Sequence, residues 1–140
     1  MKTQIVIKEL EQLDMAAQEF LDAIKSRSII CFDAPMGSGK TTFINALLKE
    51  MNCGELGSSP TYSIVNEYFS PTYGKIFHLD LYRLKLLEEA FDIGIEDILY
   101  DSNLCFIEWP AIISNLLPDS HVWVKIEVND ENHRLISFEL

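Results

Sequence analysis

The sequence predicts one α/β domain spanning residues 1–140, with a central mostly parallel or mixed sheet flanked by helices and a C-terminal β-hairpin. Three observations carry this expectation. Strand-like and helix-like patterns alternate over the first third of the chain. The compact apolar run 28–33 enters a glycine-rich turn that leads directly into a helical pattern. Paired alternating segments follow, as hairpins require. The chain is 140 residues long, which fits one domain with one core.

Residues 3–7 alternate weakly and predict a short strand. Between 9 and 24, Leu10, Leu13, Ala17, Phe20, Leu21 and Ile24 recur at helical spacing and define one apolar face. Residues 28–33 (SIICFD) are apolar without alternation, the pattern of a central strand buried on both faces. A helix is expected from 41 to 51, then a polar loop over 52–60. Segments 61–69 and 74–82 predict two strands joined across SPTYG. Residues 84–91 look helical, and Gly94 separates them from a short helix in IEDILY. LCFIE (104–108) predicts another buried strand, and 111–117 a helix stopped by Pro118. In the last hairpin Val122, Val124, Ile126 and Val128 share one face of the first strand, and Ile136, Phe138 and Leu140 share one face of the returning strand.

Charge narrows the function. Asp and Glu number 22 against 11 Lys and Arg, a net charge of −11. Autonomous nucleic-acid binding rests on phosphate neutralisation by basic residues and is not expected. A polybasic membrane surface is equally excluded. No 18-residue apolar run is present, and MKTQIVIKEL has no signal-peptide core. Cys31, Cys53 and Cys105 form no paired spacing and read as free thiols, which suits a cytoplasmic protein. His78, His121 and His133 form no ligand spacing, so a metal cage of side chains alone is not expected.

The chemistry lies in Ala34-Pro-Met-Gly-Ser-Gly-Lys-Thr41, between the apolar strand and the next helix. It matches G-x-x-x-x-G-K-[ST] except that Ala34 stands for the first glycine. A phosphate needs backbone N–H groups converging on it. Gly37 and Gly39 permit the positive φ and close approach this requires. The helix start adds unpaired N–H groups and a positive dipole end. Met36, Gly37, Ser38, Gly39, Lys40, Thr41 and Thr42 are thus the expected nucleotide-binding set. Lys40 supplies charge to the β/γ phosphates, and the Thr41 hydroxyl reaches Mg²⁺.

Such a P-loop also needs a carboxylate at the end of a neighbouring buried strand. LCFI-Glu108 and IFHL-Asp80 both present one. Two acids suggest a divided role, one on the Mg²⁺ shell and one orienting water, and the pattern leaves open which does which. Thr61, in Ser58-Ser-Pro-Thr-Tyr62, stands where a switch threonine would reach the metal or γ-phosphate. The arginines are Arg27, Arg83 and Arg134, none of them in the phosphate loop or next to Thr61.

GSGKTTF, SPTYSIVNEY, HLDLYRL and IEWP, in this order, resemble the motifs of the TsaE (YjeE) family of bacterial tRNA threonylcarbamoyladenosine biosynthesis ATPases. The resemblance runs from about Ile30 to Pro110. The family usually has Gly-Asp-Leu where this chain has Ala34, Pro35 and Met36. The resemblance implies a P-loop NTPase fold and a small cytoplasmic Mg-ATPase, weak alone. It implies binding to a heterodimer of TsaD and TsaB, which modifies adenosine 37 of tRNA. ATP hydrolysis would sustain turnover of that complex, and tRNA would be met only through it. Lys40, Thr41 and Thr42 then serve phosphates and metal, and Thr61, Asp80 and Glu108 complete the site with Trp109 beside it.

Other classes fit poorly. No Asn precedes a Lys, so the guanine-reading N-K-x-D of a GTPase is absent. The arginines are not clustered into a kinase lid. The remaining alternative is a binding module in which ATP occupancy, without hydrolysis, organises a docking surface.

Overall fold

The computed structural model describes residues 2–54 and 64–140. Seven strands form one sheet in the order β1-β7-β6-β2-β5-β4-β3. Its centre consists of β6 (Val122–Val128), β2 (Ile29–Asp33), β5 (Leu104–Glu108) and β4 (Gly74–Asp80), all parallel to their neighbours in this group. The edges turn antiparallel: β3 (Val65–Ser70) pairs with β4, and β7 (Arg134–Glu139) lies between β6 and β1 (Lys2–Ile7). The sheet is therefore mixed, as expected.

Residues alternate between two cores. Ile30 and Phe32 of β2 face the layer of α1 (Leu13–Ile24) and α2 (Lys40–Glu50), where Phe20, Phe43 and Leu47 pack. Phe20 meets Phe43 edge-on at 5.4 Å and Phe138 at 5.0 Å. Ile29 and Cys31 face the opposite layer, made by α3 (Leu87–Asp92), α4 (Ile95–Leu99) and the turns after β5. Coverage on both faces is why β2 and β5 read as unbroken apolar runs. Cys31 and Cys105 are free and buried, and burial raises both thiols, Cys31 to about 12.

Three expected helices are shorter than their patterns or differently wound. Residues 10–12 form a 3₁₀ turn before α1, because Gln12 Oε1 takes the N–H groups of Lys8 and Glu9. α3 begins at Leu87 because Glu89 Oε1 accepts from Lys85 and Leu86, capping the helix there. Residues 110–116 form 3₁₀ turns with a break at Ile113, too short between Pro110 and Pro118 to settle into an α-helix. The strand expected over 61–69 is observed from Val65, and positions 61–63 lie outside the described residues.

Candidate functional site

The glycine-rich loop leaves the carboxyl end of β2, at the centre of the parallel strands, where open α/β sheets bind ligands. Gly37 has φ +79° and Gly39 φ +92°. A Cβ on Gly39 would meet Arg134 Nε at 3.4 Å. Ala34 is not among the described residues of positive φ, so the missing first glycine costs no backbone strain. Its carbonyl instead accepts from Lys40 Nζ at 3.2 Å. The turn is closed by Ser38 N–H donating to the Pro35 carbonyl at 3.2 Å. No side chain caps the start of α2, and a helix start leaves its first N–H groups without partners inside the helix.

Lys40 is only 6% exposed, and its ammonium lies 3.6 Å from the centroid of the Trp109 ring. Burial lowers its pKa from 10.5, while Glu108, Asp80 and Asp33 oppose that shift. Trp109 adopts φ 57° and ψ 58°, a left-handed conformation unfavourable for so large a residue, and stacks obliquely on Tyr82 at 5.0 Å.

The parallel register pairs Asp80 with Glu108, so two strand ends present their acids side by side. Glu108 is 2% exposed and fully engaged. Its Oε1 accepts from the Thr41 hydroxyl at 3.1 Å, and its Oε2 lies 2.6 Å from His78 Nε2. Asp80 Oδ1 accepts the Tyr82 N–H at 3.1 Å. Burial raises the Asp80 pKa above 3.8 and Glu108 adds to this, against lowering by the Tyr82 N–H, His78 and Lys40.

Most of the expected residues meet in one cleft of about 440 Å³. Met36, Gly37, Gly39, Lys40, Thr41, Thr42, Asp80, Glu108 and Trp109 all line it. Ser38 is not among its walls, and its buried hydroxyl has no partner among the described residues. Thr61 falls outside the described residues.

Sequence reasoning missed two residues. His78 read as an interruption of an apolar run, although it stands two positions before Asp80 and hence on the same strand face. Arg134 also lines the cleft, although in sequence it lies neither in the phosphate loop nor beside Thr61. Nothing local in the sequence marks Arg134. It arrives because β7 returns beside β6, which neighbours β2.

The donor set suits a magnesium nucleotide. The described residues contain no cluster of three or more His, Cys, Asp and Glu able to cage an ion. A hard cation on Thr41 and one or both acids would draw its remaining ligands from phosphate and water, as Mg²⁺ commonly does. The orphaned Ser38 hydroxyl and the open space above Gly37 fit an anion in the loop.

A second cavity of about 340 Å³ adjoins the first and shares Gly39, Thr42 and Arg134 with it. Its other walls include Ile7, Leu10, Leu13 and Ile126. The guanidinium at the junction is held by Asn132, whose carbonyl and Oδ1 accept from Arg134 Nη1 at 2.9 and 3.2 Å.

A glycine-rich loop joining a central parallel strand to a helix, with acids on the adjoining strand ends, marks the fold as that of a P-loop NTPase. Residues 7–136 match the model of the family described as threonylcarbamoyl adenosine biosynthesis protein TsaE, and the chain belongs to that family. It is 35% identical over 137 residues to the tRNA threonylcarbamoyladenosine biosynthesis protein TsaE of Rickettsia bellii, covering 96% of this chain and 93% of that one. The TsaE of Aquifex aeolicus is 31% identical over 135 residues, 95% of this chain and 92% of the relative. The crystal structure of YdiB from Bacillus subtilis superposes with a TM-score of 0.78 at 20% identity, covering 99% of this chain and 84% of YdiB. Family membership gives the chain a role in tRNA threonylcarbamoyladenosine biosynthesis. No helix among the described residues is long and apolar enough to cross a membrane.

Proposed function

We propose that the protein is a Mg²⁺-dependent ATPase whose hydrolysis sustains the TsaD–TsaB complex that forms threonylcarbamoyladenosine at position 37 of tRNA. The observation that carries this reading is the convergence of Lys40, Thr41, Asp80 and Glu108 on the cleft beside the glycine loop. In it, the loop N–H groups and Lys40 hold the triphosphate. Thr41 and one acid hold the metal. The other acid orients the attacking water. The metal would withdraw charge from the phosphoryl oxygens. Trp109 covers Lys40 and limits the access of water to it.

The adjoining apolar cavity is the natural seat for the nucleoside end. Its volume lies within the range of small-molecule sites. Arg134, between the two cavities, would lie against the phosphate nearest the ribose. With a charge of −11 the chain has no broad field for tRNA and would meet it through the partner complex.

Phosphate release measured with and without the TsaD–TsaB complex tests the reading. Slow basal turnover should rise at least about fivefold with partner, within the range that completing a phosphoryl-transfer site supplies. Lys40→Ala should remove ATP binding, and Glu108→Ala should remove the rise while ATP binding persists. If Glu108→Ala still supports tRNA modification over many turnovers, occupancy alone suffices and the binding-module alternative holds.

A further inference from the structure

We propose that His78 is a positioning residue that clamps Oε2 of Glu108, leaving Oε1 as the working oxygen of the phosphate cleft. The inference deepens the ATPase reading and rests on it.

His78 and Glu108 are both buried, at 0% and 2% exposure, and their side chains meet at 2.6 Å. An ionised carboxylate can only accept, so Nε2 is the donor in this bond. Nδ1 is buried as well, and among the described residues no partner reaches it. A polar ring placed in a sheet interior with one nitrogen unserved is a cost to the fold. An apolar residue would suit the flanking pattern of Ile76, Phe77 and Leu79 better. Among the described residues, the one hydrogen bond the ring makes is to Glu108.

The geometry gives that bond a function. The last torsion of a glutamate is broad and roughly two-fold, so one contact does not fix which oxygen faces a ligand. Here Oε1 is held by the Thr41 hydroxyl, a group the proposed metal site also needs. Were Thr41 to turn to a metal, that restraint would go. The His78 bond lies on the other oxygen and remains. Glu108 would therefore keep its orientation with Oε1 free for metal or water. Hydrogen-bonded partners of this kind, one step removed from the reacting atoms, are worth about 10–100-fold when removed.

The test compares His78→Gln, His78→Asn and His78→Leu in the full chain, with the partner complex present for turnover. A glutamine amide reaches the place of Nε2, an asparagine amide only that of Nδ1, and leucine offers no donor. We expect His78→Gln to keep at least about a third of kcat. His78→Asn and His78→Leu should lose about tenfold or more in kcat, with the calorimetric Kd for Mg-ATP changed less than about threefold. Thermal melts identify folded variants, and the Gln–Asn pair decides if leucine fails to fold. Folded glutamine and asparagine variants that fall together, or folded donor-less variants that match the wild type, overturn the positioning role. Absence of turnover in the wild-type protein instead overturns the ATPase reading beneath it.

Discussion

The Thr41 hydroxyl donates to Glu108 Oε1 at 3.1 Å across 67 positions of sequence, tying the first turn of α2 to the end of β5. This bond makes the P-loop helix and the acid strand one unit before any ligand is present. Thr41→Val keeps the shape and removes the donor, leaving a buried carboxylate oxygen without its partner. The variant should lose about 1–3 kcal/mol of stability in denaturant melts. It should also lose at least about tenfold in Mg-ATP turnover, because the same hydroxyl is the proposed metal ligand. Thr41→Ser should retain both. A valine variant as stable and active as the wild type would show that the bond is incidental.

The neighbouring cavities predict a separation between phosphate and base. Leu10 is 76% exposed and lies on the apolar wall, so Leu10→Glu adds a charge there without disturbing the core. ATP affinity should fall by about tenfold, the cost of desolvating or displacing one poorly placed polar group. Affinity for inorganic tripolyphosphate, which has no base, should change less than about twofold. Arg134→Ala should weaken both ligands, since the guanidinium faces both cavities. Calorimetric titration with the two ligands reads all of this. An equal loss of ATP and tripolyphosphate in Leu10→Glu would remove the nucleoside from this cavity.

Asp80 predicts a pH effect on the ligand-free protein. Its folded pKa is raised above 3.8, chiefly by burial, and the attraction of Lys40 does not cancel that. Ionising Asp80 therefore costs the folded state. That cost is fully present above the raised pKa and vanishes as pH falls below 3.8. Asp80→Asn removes the charge and keeps an oxygen for the Tyr82 N–H. Its melting temperature should exceed the wild type's at pH 7 by about 2 °C or more. The gap should close toward pH 4, and Mg-ATP turnover should be lost. A less stable Asp80→Asn protein at neutral pH would contradict this account.

Local chemistry made much of the molecule legible. LCFIE was readable as a buried strand because both of its faces are covered, and it spans Leu104–Glu108 as expected. The glycine loop was readable because positive φ at Gly37 and Gly39 is a property of those residues. The last hairpin was readable from period-two alternation, which pairs Val124 with Phe138 and Ile126 with Ile136. Two acids at apolar strand ends were likewise visible, without any order of roles. The helices at 84–91 and 111–117 were less legible, because caps and prolines shifted or tightened backbones that the apolar spacing alone describes as regular.

By itself the sequence determined most of the sheet strands, the glycine-rich loop, the net charge and the candidate acids, since each follows from neighbouring residue types. Tertiary structure alone decided who meets whom. The strand order brings Arg134 from the far end of the chain to Gly39. The parallel register sets Asp80 beside Glu108. Burial then turns His78 from a break in a strand pattern into the partner of a carboxylate. Sequence spacing encodes which face of an element is apolar. It does not encode which two elements lie side by side, because that depends on the packing free energy of the whole sheet.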